Sequence, residues 1–191
     1  IAKNTTPVYL FSFTSMLLII IPVIIPYFES FGLTMKEIYE LNAFFGLSVA
    51  LCEIPSGYLA DLWGRKRALQ LRSVIIGSSF STFYWIDSYW GFVLFEMSLG
   101  IGFSLVSGTD IAMLYDLFES SSSDLSLEDS RDDQHTILIE QRAQAFAHLK
   151  SLKMVGESCA ALMTIGLTMI SLSTVVIAQG VCGWFMLIPT F

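Results

Sequence analysis

The sequence predicts an all-α integral membrane fold of six transmembrane helices, and three observations carry that expectation. Hydrophobic residues fill 54% of the 191 positions and charged residues only 14%, against about 25% charged in a soluble domain. Apolar windows recur along the whole chain, each close to the roughly 20 residues that the hydrocarbon layer requires. The basic residues gather on alternate connections, as they do on cytoplasmic loops. An ordinary soluble domain is the wrong class.

The six windows are 8–28, 38–60, 68–86, 91–115, 149–170 and 174–191. The chain opens at Ile1 without a methionine, so residues upstream are expected. The first window is too long for a signal-peptide core and lacks a small-residue cleavage site after it, which makes it a retained helix. Pro22 and Pro26 lie in its outer half. Proline removes a backbone donor and disturbs the preceding turn, which membranes tolerate where neighbours satisfy the freed groups. A bent first helix follows, suited to a moving wall and almost as well to a static bundle.

The connections are short turns at 29–37, 87–90 and 171–173, a basic loop at 61–67, and one long polar segment, 116–148. That segment holds a dense group of acids and a serine run at Ser120–Ser123, the composition of a mobile loop. Its second part, from Thr136 to Leu149, returns to helix formers and is placed at the interface. The organisation is therefore helices one to four over 1–115, an acidic Ser-rich cytoplasmic segment over 116–148, and helices five and six over 149–191. Lys3, Arg65, Lys66, Arg67, Arg72, Arg131, Arg142, Lys150 and Lys153 flank one side, and Lys36 alone flanks the other. Both termini are thus expected in the cytoplasm, consistent with six crossings.

The net charge of −7 comes largely from the 116–148 loop, and no basic nucleic-acid surface exists. Cys52, Cys159 and Cys182 all fall in apolar windows. An odd count without short spacing argues against a disulfide framework or a metal knuckle. His135 and His148 are too far from any cysteine to suggest a metal site. No cofactor is called for.

The most specific stretch runs Gly57-Tyr-Leu-Ala-Asp61-Leu-Trp-Gly64-Arg65-Lys66-Arg67. Gly57 allows close helix contact, and Gly64 permits a tight turn. Asp61 stands at a helix carboxyl end, where the macrodipole disfavours an anion, so it needs a cation or another helix's amino end. Arg65 and Arg67 are near enough to serve, with guanidinium forks that suit a carboxylate. Spacing alone leaves a plain polar loop, with basic residues that only fix topology, equally open.

This stretch resembles motif A of the major facilitator superfamily, G-x-L-A-D-x-x-G-R-K/R-x, which lies between helices two and three. The preceding Glu53-Ile-Pro55-Ser-Gly57 resembles the approach to that motif in the bacterial drug-efflux-like branch. So do Ser107-Gly-Thr-Asp110-Ile-Ala-Met-Leu-Tyr115-Asp116 and Arg142-Ala-Gln-Ala. The resemblance implies one half of a twelve-helix fold, with a second six-helix half as its partner around a central site. It also implies a cytoplasmic charge network that latches the outward-open state, formed by Asp61 and Arg65 with Asp116 as a further acid. One departure stands out. Where the family's motif B places an arginine in helix four, this chain reads Glu96-Met-Ser-Leu-Gly100, so a proton mechanism built on that arginine does not carry over.

Four carboxylates lie within the windows: Glu53, Glu96, Asp110 and Glu157. Each costs a few kcal/mol at membrane depth unless paired, protonated or wet, and such residues are usually functional. Glu96, Gly100, Phe103, Ser107 and Asp110 fall near one line on a helix, a polar face suited to a cavity wall. Quieter readings stay open: Glu157 pairs with Lys153, Glu53 with the motif arginines, and Asp110 with a neighbouring helix or the latch. Glu96 has no cation within a turn. With no Lys or Arg deep in a window, the lining is expected to be acidic and to favour protons or cationic substrates.

These features point to a secondary transporter in a bacterial inner membrane that moves a small molecule by rocking two halves, with proton-coupled efflux the leading expectation. Uptake or exchange of a metabolite or siderophore-like compound is the alternative within transport. A non-transporting partner or sensor with a transporter fold is the rival outside it. No nucleophile–base pair, metal-ligand spacing or nucleotide loop suggests an enzyme.

Overall fold

The computed structural model describes residues 6–105 and 131–187, and every regular element among them is a helix. In chain order these are α1 (Thr6–Ser15), a 3-10 turn (Ile21–Val23), α2 (Ile24–Ser30), α3 (Met35–Trp63), α4 (Arg65–Phe83), α5 (Tyr89–Ser104), α6 (Arg131–Thr168) and α7 (Leu172–Phe185). The all-α class holds.

Short polar caps set the helix starts. Thr34 and Glu37 form a reciprocal box at the head of α3. Glu37 N–H donates to Thr34 Oγ1 at 3.4 Å, and Thr34 N–H donates to Glu37 Oε2 at 2.8 Å. Ser88 accepts from Gly91 N–H at 3.2 Å to cap α5, and Ser171 accepts from Thr174 N–H at 3.1 Å to cap α7. Each cap satisfies a donor that the first helical turn leaves open. The chain leaves α3 through Gly64, whose φ of 89° suits a residue without Cβ, and α4 starts at the next residue.

The α3 cap carries a pH signature. Hydrogen bonds from the Thr34 backbone and then its hydroxyl hold the Glu37 carboxyl below its ordinary range. A lowered folded-state pKa stabilises above the unfolded value and is lost as pH falls through the folded one. Protection of the Glu37 amide, corrected for intrinsic exchange, is therefore expected to drop on acidification below the ordinary carboxylate range. Thr34→Ala should remove both the protection and its pH dependence. Unchanged exchange in that variant would show that the box is unimportant in the membrane-embedded protein.

The first span departs from the single bent helix expected. It divides into α1 and α2, with residues 16–20 outside any regular helix. The cause begins at Pro22, which has no N–H to give the Leu18 carbonyl and crowds the preceding turn. Hydrogen bonding contracts from four residues to three, with Met16 N–H bonded to the Phe13 carbonyl and Ile21 N–H to the Leu18 carbonyl. In the 116–148 segment the difference is the reverse, because α6 already begins there, at Arg131. Helix α6 runs through position 149 without interruption and spans 38 residues. That is about 57 Å at 1.5 Å per residue, well beyond the roughly 30 Å hydrocarbon layer.

Close backbone approaches hold the helices together. At the α3–α5 crossing, a Cβ on Gly100 would lie 2.7 Å from the Phe45 carbonyl oxygen and 2.7 Å from Ser48 Cβ. At the α1–α6 crossing, a Cβ on Gly156 would lie 2.6 Å from the Phe13 carbonyl oxygen. Such small-residue contacts are the usual way helices associate where lipid supplies no hydrophobic drive. Hydroxyls add ties between helices: Ser56 Oγ donates to the Ser104 carbonyl at 2.8 Å, and Ser79 and Ser98 share a 2.8 Å bond. At the other end, Phe28 from α2, Phe83 from α4 and Phe92 and Phe95 from α5 form an aromatic core. Phe83 stacks on Phe95 at 4.1 Å between centroids, and Phe28 meets Phe92 edge-on at 5.1 Å.

Apolar side chains face outward on a large scale. Ile54 is 84% exposed, and Leu51, Tyr58, Leu162, Met169 and Ile170 also stand on the outer surface. Trp85 (76% exposed), Trp90 and Tyr39 mark the end where α3 and α5 begin, and Trp63 the other. Amphipathic rings at both ends resemble the belts of membrane–water interfaces. Among the described residues, α3 is the helix long and apolar enough to cross a membrane by length and composition, and α7 is a shorter apolar helix.

Candidate functional site

The motif loop is built by the carboxyl end of α3, Gly64 and the amino end of α4. Both sides of the turn carry charge that the backbone disfavours. Asp61 sits in the last turn of α3, where the helix end is already negative, and Lys66 and Arg67 sit in the first turn of α4, where it is positive. Asp61, Lys66 and Arg67 are exposed, and among the described residues Asp61 and Arg67 form no ion pair with each other. The Arg65 side chain and all of Asp116 lie outside the described residues. Gly57 was expected to allow close helix contact. Its face is exposed, and a Cβ there would meet nothing within 4 Å, so no described helix uses it.

Of the four acids singled out in the apolar windows, the three among the described residues lie on three different helices and differ in exposure. Glu53 is exposed on α3, Glu157 is exposed on α6, and Asp110 lies outside the described residues. Glu96 is 6% exposed on α5. Among the described residues no hydrogen bond or ion pair reaches its carboxylate. The line it shares with Gly100 and Phe103 packs against α3, through Gly100 on Phe45 and Ser48 and through the Phe45–Phe103 ring pair at 5.8 Å. At Gly100 and Phe103 that line is a helix contact, and its remainder, Ser107 and Asp110, lies outside the described residues.

Arg72 corrects a second expectation. Counted as a flank of the basic loop, it instead lies seven residues into α4, about 10 Å along the axis, and is 1% exposed. Its guanidinium carbon stands 5.4 Å from the Phe11 ring centroid on α1 and 5.3 Å from that of Phe103 on α5. Two aromatic faces offer a desolvated cation an electrostatic seat that water would otherwise supply. The interior is therefore not lined by acids alone.

The break in the first span meets α6 and α7. Ile20 N–H donates to Gln179 Oε1 at 3.2 Å, and Thr164 Oγ1 donates to the Ile19 carbonyl. Gln179 and Thr164 were not singled out in the sequence. The available signal was Gln179 itself, an amide amid the apolar residues of 174–187, with two prolines elsewhere leaving backbone groups to be satisfied. A further groove, lined by Glu40, Ala43, Phe44, Leu47 and Tyr89, opens where α3 and α5 begin. There Tyr89 Oη donates to Glu40 Oε2 at 3.0 Å, and Lys36 pairs with Glu40 at 3.6 Å.

No protein-family model matches this chain. An uncharacterized MFS-type transporter of Methanocaldococcus jannaschii is 28% identical to it over 101 residues, covering 52% of this chain and 26% of that protein. The chain thus matches about a quarter of the relative's length. The likeness is to a stretch of a transporter-type protein and covers about half of this chain. Together with the apolar helix α3, it points to a membrane protein.

Proposed function

We propose that this chain is the amino-terminal six-helix half of a major facilitator-type secondary transporter, and that it moves a small molecule by alternating access with a second six-helix half. The observation that carries the reading is the extent of apolar surface around a bundle that keeps a few polar groups in its apolar interior. Large apolar residues cover the outside, while Arg72, Glu96, Thr164 and Gln179 lie inside. Soluble monomers rarely expose apolar surface on that scale, and ionisable groups within membrane helices usually mark a transport path.

Proton-coupled efflux across a bacterial inner membrane, with both termini of this segment in the cytoplasm, is the specific form proposed. Arg72 removes the acid-only lining as its basis, and the proton role rests on buried Glu96 instead. The second reading is uptake or exchange of a metabolite or siderophore-like compound, and an interior that holds Arg72 as well as Glu96 is compatible with it. The motif loop serves as the latch in either case. Asp61, Arg65 and Arg67 meet one another and Asp116 in one conformation, where the adverse helix-end charges find partners.

The test uses the full-length protein in vesicles with and without an imposed pH gradient. Gradient-driven solute movement is expected, and its loss in Asp61→Asn should accompany a shift of accessibility labelling toward the inward-open state. Glu29→Gln, an exposed acid at the end of α2, should change neither. Absence of any solute flux in the intact protein would overturn the transporter reading. Flux and labelling unaffected by Asp61→Asn would overturn the latch alone.

A further inference from the structure

The geometry points to the groove between α3 and α5 as a seat for the head group of a phospholipid that carries a primary ammonium beside its phosphate. Its walls are Ala43, Phe44 and Leu47 of α3 and Tyr89 of α5, with Glu40 at one end. The groove offers about 260 Å³, and Ala43 and Leu47 leave it open to one side. Pockets for small molecules usually span roughly 300–1,000 Å³. A smaller, open groove suits a ligand whose bulk stays in the bilayer.

Polarity falls along the groove. Glu40, Ala43, Phe44 and Leu47 are spaced as one face of α3, and seven residues carry that face about 10 Å inward from Glu40. Tyr39 and Trp90, both 71% exposed, adjoin Glu40 and Tyr89 in sequence. Exposed rings of this kind sit at head-group level. The charged end therefore meets head groups, and the apolar end meets acyl chains.

The charges at the mouth complement a zwitterion. Tyr89 Oη donates to Glu40 Oε2 at 3.0 Å, which fixes the carboxylate to the start of α5. Glu40 Oε1 faces Lys36 Nζ at 3.6 Å, beyond hydrogen-bond length. The two side chains are 43% and 85% exposed, and so open an ion pair holds little energy. A primary ammonium brings three donors and takes the place of Lys36 at Oε1. Lys36, one turn nearer the helix start, then faces the phosphate. Two ion contacts replace one. The seat rests on the membrane reading of the apolar surface and not on transport.

The experiment measures phospholipid retained by the full-length protein in detergent, by native mass spectrometry. Phosphatidylethanolamine, phosphatidylcholine and phosphatidylglycerol with identical chains are added in equal amounts. The parent should keep the ethanolamine lipid over the other two by about fivefold, because choline has no N–H to donate and glycerol has no charge. Glu40→Gln should erase that preference without lowering retention of the glycerol lipid. Lys36→Gln should lower all three, since each carries the phosphate. Ala43→Phe, which fills an exposed position on the wall, should do the same. Glu29→Gln removes the same charge from the end of α2 and should change nothing. Parental melting temperatures check that the variants are folded. Phosphoethanolamine without acyl chains should fail to displace the bound lipid at equal concentration. Equal potency would identify a soluble zwitterion and overturn the lipid as occupant. Equal retention of the three lipids by the parent, or a preference that survives Glu40→Gln, would overturn the seat itself. These readouts need no solute flux, so a protein that transports nothing still decides the question.

Discussion

Gly100→Val is expected to unseat α3 from α5 and to be the most destabilising of the substitutions discussed. The first atom added to Gly100 would stand 2.7 Å from both the Phe45 carbonyl oxygen and Ser48 Cβ, well inside contact distance. Neither obstacle is the far end of a flexible side chain, so the helices must separate. Separation strains the Ser56–Ser104 bond and the Phe45–Phe103 ring pair, which join the same two helices. Overpacking of this kind costs roughly 1–3 kcal/mol and sometimes more. Gly100→Ala should show the lower part of that range and Gly100→Val the upper part or an unfolded protein. Gly166→Ala on α6, where a Cβ would meet nothing within 4 Å, should instead be neutral or gain up to about 1 kcal/mol from helix propensity. Thermal unfolding of the purified protein in detergent distinguishes these outcomes. Equal melting temperatures for Gly100→Ala and Gly166→Ala would show that the α3–α5 crossing is looser than described.

Glu96→Gln is expected to cost at least about tenfold in proton-driven transport while leaving the folded protein intact. Glutamine keeps the shape of the side chain and removes the titrating group. A carboxylate at that depth costs a few kcal/mol unless paired, protonated or wet, so the substitution should raise or leave unchanged the melting temperature. The distinguishing readout is the dependence on the gradient. Solute exchange without a pH gradient should persist in Glu96→Gln, and only acceleration by the gradient should vanish. Gradient-driven transport at parental rates would remove Glu96 from the coupling path. Loss of stability together with transport would mark it as a packing residue of the α3–α5–α4 contact.

The two substitutions test neighbours on one helix face, and that face shows why the site was only partly legible beforehand. The residues of the motif loop were readable, because helix ends and tight turns are local matters. Gly64 takes the positive φ that a sharp exit from α3 requires, and the caps at Thr34, Ser88 and Ser171 lie beside the helices they start. Their chemistry acts within three or four residues. The roles of Glu96 and Arg72 were not readable in the same way. Both were placed by counting residues along the axis, which fixes depth and leaves rotation open.

By itself, then, the sequence determined the helical class, the apolar composition, the main turns and the charge pattern at the Asp61–Arg67 loop. The tertiary structure decided which way each helix turns its face. In water an amphipathic stripe reports that direction. In an apolar bundle both the lipid side and the core side are apolar, so the stripe carries little information. Only packing shows that Glu96 is buried, that Gly100 lies against α3, and that Arg72 turns inward between Phe11 and Phe103. The break in the first span is the sharpest case. Proline at position 22 announces a lost hydrogen bond, but its remedy lies on other helices, at Thr164 and Gln179, more than 140 residues further along the chain. A backbone group buried in an apolar medium must find a partner, and no local rule says which helix supplies it.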